Sequence, residues 1–114
     1  MRNGVTMNDA PANLFAPLPS ASAGEVFTDL LSRPGVRLER IVSQGQATPV
    51  DAPMVQETDE WVLLLGGTAR LRLGDAPELS LGAGDHVFIA AGTPHWVTHT
   101  SSAPPAIWLA LHLG

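Results

Sequence analysis

The chain has 114 residues, with six arginines, no lysine, no cysteine and a formal net charge of −5 at pH 7. Without cysteine it cannot form disulfides, zinc–thiolate sites or iron–sulfur clusters, and without lysine it cannot form a Schiff base. The excess of acidic residues offers no basic surface for nucleic acid, so we expect no nucleic-acid partner. The length fits one domain with one hydrophobic core.

The first twenty residues are rich in Pro, Ala and Asn, and polar residues such as Asn8 and Asp9 interrupt every apolar stretch. This composition predicts an extended arm rather than a signal peptide. Uninterrupted apolar runs such as 61–65 are far shorter than a membrane span. We therefore expect a cytoplasmic protein without a membrane segment, built from an arm over 1–20 and one domain over 21–114.

One helix is predicted near the start of this domain. Ser22 and Glu25 have the spacing of a capping box, and Pro34-Gly35 would end the helix. Between them the apolar residues recur at helical spacing: Val26, Phe27, Leu30 and Leu31. The pattern predicts a short helix over 22–32.

After residue 35 the apolar period changes to two, and turn residues separate short runs. The predicted strands are 36–43, 60–65, 69–73, 79–81, 86–89, 95–100 and 106–113. Closely spaced short strands with no second helical pattern are typical of an antiparallel sandwich or barrel. The sequence therefore predicts an all-β domain with one short N-terminal helix.

Gly66-Gly67 lies between two predicted strands and is typical of a two-residue hairpin turn. In that hairpin one face would be apolar except for a single carboxylate, and its members are Glu60, Val62, Leu64, Ala69, Leu71 and Leu73. The opposite face would carry Trp61, Leu63, Leu65, Arg70 and Arg72, with Arg72 placed over Trp61 as a cation–π pair.

Glu60 on the core-facing side needs an explanation, because an unpaired buried carboxylate is costly. Its partner could be a metal ion, an arginine, or a hydrogen-bond network that includes a histidine. In the predicted register Arg70 and Arg72 point away from it, which favours a metal or the histidines. The simpler alternative is that Glu60 lies at a wet barrel mouth.

The segment 84–99 resembles the second cupin motif, G-x5-P-x-G-x2-H-x3-N. Gly84, Gly92 and His95 match, whereas Ala90 replaces the Pro and His99 the Asn. The resemblance covers about residues 36–113 and implies a small single-domain cupin, with the double-stranded β-helix, or jelly-roll barrel, of that family.

The first cupin motif, G-x5-H-x-H-x3-4-E-x6-G, is matched only in its second half, at Glu60 and Gly67. Met54 and Gln56 occupy its two His positions, and Thr48 its leading Gly. In cupins with the full set, three His and one Glu hold a divalent metal such as manganese, iron, nickel or zinc. The resemblance thus implies Glu60 and His95 as metal ligands, with Gln56 as a weak neutral donor.

Other histidines could add to this set. His99 is four residues after His95, so on one regular strand both would share a face. His112, on the last strand, could face the barrel or a partner subunit, and His86 is most simply a surface residue. Each of these histidines could instead have a structural role, which is more common than metal binding for a single histidine on a strand.

Two functional classes remain open at this point. One is an enzyme in which a metal at Glu60 and His95 polarises a small oxygenated substrate. The other is a metal-free barrel that binds a small ligand without catalysis, which the loss of the first-motif histidines favours. No G-x-S-x-G context supports nucleophilic hydrolysis.

The strip of Trp61, Leu63 and Leu65 is too apolar to remain wet. Either the predicted helix or a second chain would cover it, and the family resemblance favours a homodimer.

Overall fold

Eight β-strands follow one another in the computed structural model, which describes residues 10–114. They are β1 (Val26–Arg33), β2 (Val36–Ser43), β3 (Asp59–Gly66), β4 (Ala69–Leu73), β5 (Leu79–Leu81), β6 (His86–Ile89), β7 (His95–Thr100) and β8 (Ala106–Leu113). The all-β class and the seven predicted strands are confirmed. Within residues 10–114 there is no α-helix, and hence none that could cross a membrane.

The helix predicted over 22–32 is wrong, because this segment forms β1. Pro34-Gly35 makes the turn of a β-hairpin in which Phe27 lies opposite Ile41, and Gly35 adopts a positive φ of 77°. A bulge between Asp29 and Leu31 breaks the period of two, so the apolar residues mimic helical spacing. Pairing with β2 outweighs the local capping signal.

The strands form two antiparallel sheets, in the orders β1-β2-β8-β3-β6 and β5-β4-β7. Their facing sides enclose the hydrophobic core, whose buried members are Val62, Leu64, Ala69, Leu71, Leu81, Ile89, Ala106, Trp108 and Ala110. This arrangement is a jelly-roll sandwich, as predicted. Its core contains residues from both sheets, so closure of the sandwich buries them.

The predicted hairpin at Gly66-Gly67 is also wrong. Strand β3 pairs with β8 and β6, whereas β4 pairs with β5 and β7, so the two glycines carry the chain from one sheet to the other. Gly67 has a φ of 73°, and a Cβ there would lie 2.4 Å from the carbonyl oxygen of Pro105. The glycine is therefore required by close backbone approach as well as by conformation.

The sequence nevertheless predicted correctly which side of β3 and of β4 faces the core. Glu60, Val62 and Leu64 are buried, as are Ala69 and Leu71. Alternation follows from the pleat of each strand and does not depend on which strand lies beside it.

The predicted partner of Arg72 is wrong as well. Its guanidinium lies 4.3 Å from the ring centroid of Trp96, not over Trp61. The reason is that Trp96 lies opposite Arg72 on the neighbouring β7, while Trp61 belongs to the other sheet.

Residues 10–20 of the predicted arm precede the first strand and are mostly exposed. Arg40 holds this segment by donating to the carbonyl oxygens of Leu14, at 3.0 Å, and Pro17, at 3.5 Å. Farther along, Gln46 donates to the carbonyl of Ala21 at 2.7 Å. Residues 1–9 of the arm lie outside the described residues.

Candidate functional site

A cavity of about 310 Å³ lies between the two sheets and the loop 44–58. Most of its wall is apolar, and the larger apolar side chains that line it are Phe27, Ile41, Met54, Val62, Leu71, Ile89, Val97 and Trp108. The polar lining residues are Glu25, Glu39, Gln46, Thr48, Gln56, Glu60 and His95. An apolar pocket with a few polar groups is the usual form of a small-molecule site.

Glu60 and His95 meet inside this cavity. Glu60 is on β3 of the five-stranded sheet, and His95 begins β7 of the three-stranded sheet. Their side chains are 8% and 3% exposed, and Oε1 of Glu60 lies 3.6 Å from Nε2 of His95. The carboxylate and the imidazole therefore face each other in the interior, as the sequence predicted, and the wet barrel mouth is excluded for Glu60.

Backbone contacts fix the orientation of the His95 ring. Its Nδ1 lies 2.9 Å from the carbonyl oxygen of Thr93. Because a carbonyl oxygen only accepts, Nδ1 must carry a hydrogen, and Nε2 is the ring nitrogen that faces Glu60. A histidine anchored in this way through one nitrogen is typical of metal ligands.

The carboxyl group of Glu60 is in an unusual environment. Its Oε1 is buried and has no hydrogen-bond partner among the described residues. Burial raises the pKa of Glu60 above its ordinary value, the nearby His112 and His95 lower it in part, Glu39 raises it further and Arg37 lowers it. A buried acceptor without a partner indicates a position where a bound group would supply one.

The first-motif positions also reach the cavity. Met54 pairs with His95 through two backbone hydrogen bonds of 2.9 Å, and the Gln56 carbonyl accepts from Gly92 at 2.7 Å. The side-chain Oε1 of Gln56 is buried and has no hydrogen-bond partner among residues 10–114. The loop 44–58 is thus held to β7 and its preceding turn, and it brings Gln56 to the same cavity as Glu60.

His112 is engaged by a residue that the sequence analysis missed. Its Nε2 lies 2.7 Å from Oε2 of Glu39, and both side chains are buried. Oε1 of Glu39 accepts from Arg37 at 2.9 Å. His112 lies opposite Glu60 in the β3–β8 register, but it lines a second cavity at the end of the barrel, not the central one. The sequence did offer one indication of this role. Glu39 is two residues before Ile41 on β2, so both side chains lie on the same face of the strand, and both line the central cavity.

His99 does not share the face of His95, so that expectation is wrong. A bulge in β7 pairs Arg70 with His99 but Leu71 with Val97, which reverses the alternation. His99 is consequently exposed, outside the cavity. His86 is exposed as expected, and it accepts a 3.2 Å hydrogen bond from Nε1 of Trp61.

In the part of the chain that the structure describes, no three His, Asp or Glu side chains come together as a metal-binding group. The cavity offers two strong donors, Glu60 and His95, and one neutral donor, Gln56. This set is smaller than the one that a complete first motif would supply.

Comparison with known proteins agrees with the fold and the motif. The family model described as "Cupin domain" matches residues 40–112. A crystal structure of a "putative mannose-6-phosphate isomerase" from Ralstonia eutropha JMP134 is 36% identical, covers 92% of this chain and 98% of its own, and has a TM-score of 0.86.

Two other solved structures share the fold at lower identity. TT1209 from Thermus thermophilus is 24% identical with a TM-score of 0.75, covering 90% of this chain and 95% of its own. A cupin superfamily protein from Desulfitobacterium hafniense DCB-2 is 15% identical with a TM-score of 0.71, covering 84% and 83%. The curated proteins contain no match to the chain. The matched family model and the shared fold show that this chain belongs to the cupin family.

Proposed function

We propose that this cupin binds a divalent transition-metal ion at Glu60 and His95 and uses that site to bind a small oxygenated molecule. The observation that supports it most is the convergence of electron-pair donors. Glu60, Gln56 and His95 all line the cavity, and the first two each have a buried side-chain oxygen without a hydrogen-bond partner among residues 10–114. Such atoms favour a cation or a hydrogen-bond donor between them.

The donors fit a metal of the proposed kind. Imidazole and carboxylate suit manganese, iron, nickel and zinc, while the Met54 thioether is too soft to prefer them. Two atoms bonded to one ion at about 2.1 Å each must lie within about 4.2 Å of each other, and the 3.6 Å between Glu60 and His95 meets this limit. Gln56 supplies a carbonyl oxygen as a weaker third ligand.

The protein residues have separate tasks in this site. Thr93 holds the His95 ring with its Nε2 free, and Glu60 supplies negative charge that balances part of the charge of a cation. The apolar wall limits the access of water to the site. A bound metal would supply Lewis acidity toward a carbonyl or hydroxyl oxygen, and the few protein ligands leave positions for that oxygen.

Elemental analysis tests this proposal. Full-length protein purified without a chelating column, then loaded with Mn²⁺, Fe²⁺, Ni²⁺ or Zn²⁺ and desalted, is expected to retain close to one ion per chain. Absence of all four metals after loading would overturn it. A rise in melting temperature with the retained metal is a second readout, because binding to the native state stabilises it.

The second candidate is a metal-free cavity that binds a small ligand without catalysis. The observation that favours it is the occupation of both first-motif histidine positions by Met54 and Gln56. A ligand hydroxyl would then donate to Glu60 and Gln56 directly. Ligand-induced stabilisation that is unchanged by EDTA would support this candidate.

The name of the Ralstonia eutropha neighbour offers one activity to assay. Isomerisation of mannose 6-phosphate by the metal-loaded chain would identify the site as an enzyme. Binding of ligands without turnover would favour the non-catalytic candidate.

A further inference from the structure

We infer that the cavity takes a small molecule with one oxygen-bearing end, called its head, and an apolar body, and that it discriminates against molecules whose body carries a phosphate ester or a carboxylate. The position of the ligand's oxygen head rests on the proposed site at Glu60 and His95, but the charge selection does not. It follows from which side chains line the cavity and from where the arginines lie.

Among the residues that the structure describes, no Lys or Arg side chain lines the cavity. The sequence has no lysine, and none of the arginines in residues 10–114 is among the lining residues. Three of them have other partners: Arg37 binds Glu39, Arg40 binds the segment 10–20, and Arg72 stacks on Trp96. Of the other two, Arg33 lines the second cavity and Arg70 is exposed on β4.

Acidic residues, in contrast to the arginines, do line the cavity. Glu25, Glu39 and Glu60 all line the cavity, on three different segments of the five-stranded side. Glu39 is balanced by Arg37 and His112, whereas Glu25 is bonded to the neutral Ser43 hydroxyl at 2.5 Å. An anionic group placed away from the ligand's head would therefore meet carboxylates or an apolar wall, both unfavourable.

Phosphate recognition ordinarily depends on arginine, lysine or a cluster of backbone N–H groups at a helix N-terminus. Residues 10–114 contain no helix to supply the last of these. The described residues thus do not provide the cavity with the usual means of holding the phosphate of a sugar phosphate. This distinguishes the inferred ligand from the substrate that the name of the Ralstonia eutropha neighbour implies.

The size and the wall define the remainder of the ligand. A volume of about 310 Å³ corresponds to roughly ten water-sized groups at about 30 Å³ each. The wall includes Val62, Leu71, Ile89 and Trp108, which suit a hydrocarbon or aromatic body. The inferred ligand is therefore a molecule of roughly ten non-hydrogen atoms with one oxygen-bearing end.

Calorimetric titration with matched probes tests this inference. The metal-loaded full chain is titrated with benzohydroxamic acid, whose hydroxamate binds metals, and with its 4-carboxy derivative, which adds an anion at the far end. We expect the carboxy derivative to bind at least tenfold more weakly. Equal or tighter binding of the carboxy derivative would overturn the inference, and so would failure of the parent probe to bind a chain shown to contain metal.

Variants identify the source of the discrimination. Glu25→Gln removes a lining carboxylate from an exposed position and should reduce the ratio between the two probes at least threefold. Glu57→Gln is the matched control, because Glu57 is exposed and does not line the cavity, and it should leave the ratio unchanged. Equal ratios in Glu25→Gln, Glu57→Gln and the unmodified chain would contradict the electrostatic origin.

A parallel experiment separates this inference from the proposed metal site. If elemental analysis finds no metal, the metal proposal fails, and the metal-free chain is titrated with benzyl alcohol and 4-(hydroxymethyl)benzoate. Their hydroxyl group can donate to Glu60 or Gln56 without an ion. Weaker binding of the benzoate by at least tenfold would support the charge selection, whereas the reverse order or no binding of either probe would overturn it.

Discussion

Glu60 and His95 approach within 3.6 Å although they belong to different sheets. Glu60 lies opposite Ile89 on β6, and His95 is held to Met54 by paired backbone hydrogen bonds. Each residue is thus fixed within its own layer, and only closure of the two layers brings them together. The candidate site is consequently a property of the closed sandwich and not of one local segment.

The first prediction concerns the metal ligands. Glu60→Gln keeps the shape of the side chain but removes its charge, so we expect metal affinity to fall at least tenfold, or about 1.4 kcal/mol. Arg72→Ala is the control, because Arg72 stacks on Trp96 outside the cavity. Metal retained per chain, measured by elemental analysis, should fall only in the first variant. Equal losses in both variants would contradict the site.

The second prediction is a pH dependence of stability in the metal-free chain. Burial raises the pKa of Glu60, so the folded chain holds this proton more tightly than the unfolded chain. The resulting stabilisation is fully present below the ordinary pKa of the carboxyl and is lost as the pH rises through the raised value. The free energy of unfolding should therefore decrease with rising pH across that interval.

Glu60→Gln provides the comparison for this pH effect. Above the interval the variant should be more stable than the unmodified chain, by about 1.4 kcal/mol for each pH unit between the two pKa values. Urea denaturation in EDTA at several pH values measures the difference. A constant difference between variant and unmodified chain at every pH would show that Glu60 does not titrate in this way.

The third prediction concerns the buried pair of Glu39 and His112, whose atoms are 2.7 Å apart. His112→Ala leaves the Glu39 carboxylate buried with only Arg37 as a partner, and we expect it to cost about 3–5 kcal/mol. The double variant Glu39→Gln/His112→Ala should lose less free energy of unfolding than the sum of the two single variants. The reason is that Glu39→Gln removes the charge that His112→Ala leaves without its histidine partner. Additive losses in urea denaturation would argue against direct coupling.

Local sequence patterns predicted the strands well because each depends on its own pleat and flanking turns. The buried side of β3 followed from its period of two, although the strand's neighbours were predicted incorrectly. The incorrect predictions concerned features that depend on pairing with distant strands, which a local pattern does not contain. Gly66-Gly67 has the composition of a tight turn, but pairing of β3 with β8 and of β4 with β7 separates the two strands. The segment 22–32 has a capping signal that pairing with β2 overrides.

The site was predictable where a motif fixed the spacing, as for Glu60 and His95, and where a regular strand fixed the face. His99 failed because a single extra residue in β7 reverses the alternation, and nothing in its sequence marks that bulge. Glu39 was missed because its significance depends on His112, a residue far along the chain that only the β2–β8 pairing brings near.

The fourth prediction uses two glycines of positive φ. Gly67→Ala places a Cβ 2.4 Å from the Pro105 carbonyl oxygen, whereas a Cβ at Gly74, with φ of 54°, meets nothing within 4 Å. Both substitutions carry the conformational cost of about 1 kcal/mol or more, but only Gly67→Ala adds a steric clash. We expect Gly67→Ala to be the more destabilising by about 1–3 kcal/mol in urea denaturation. Equal losses would mean that the backbone near Pro105 can move.

The fifth prediction concerns the outer face of the five-stranded sheet, where cross-strand partners form the apolar row Leu31, Leu38, Leu111, Trp61 and Phe88. Phe88 is 54% exposed, and the helix expected to cover Trp61 is not formed. A homodimer through this row would remove the apolar surface from water. Sedimentation velocity should then show a dimer that Phe88→Glu converts to a monomer, because the new charge would be buried without a partner. Val50→Glu, at an 84% exposed loop position, should leave the dimer intact. A monomer at all concentrations of the unmodified chain would contradict the homodimer.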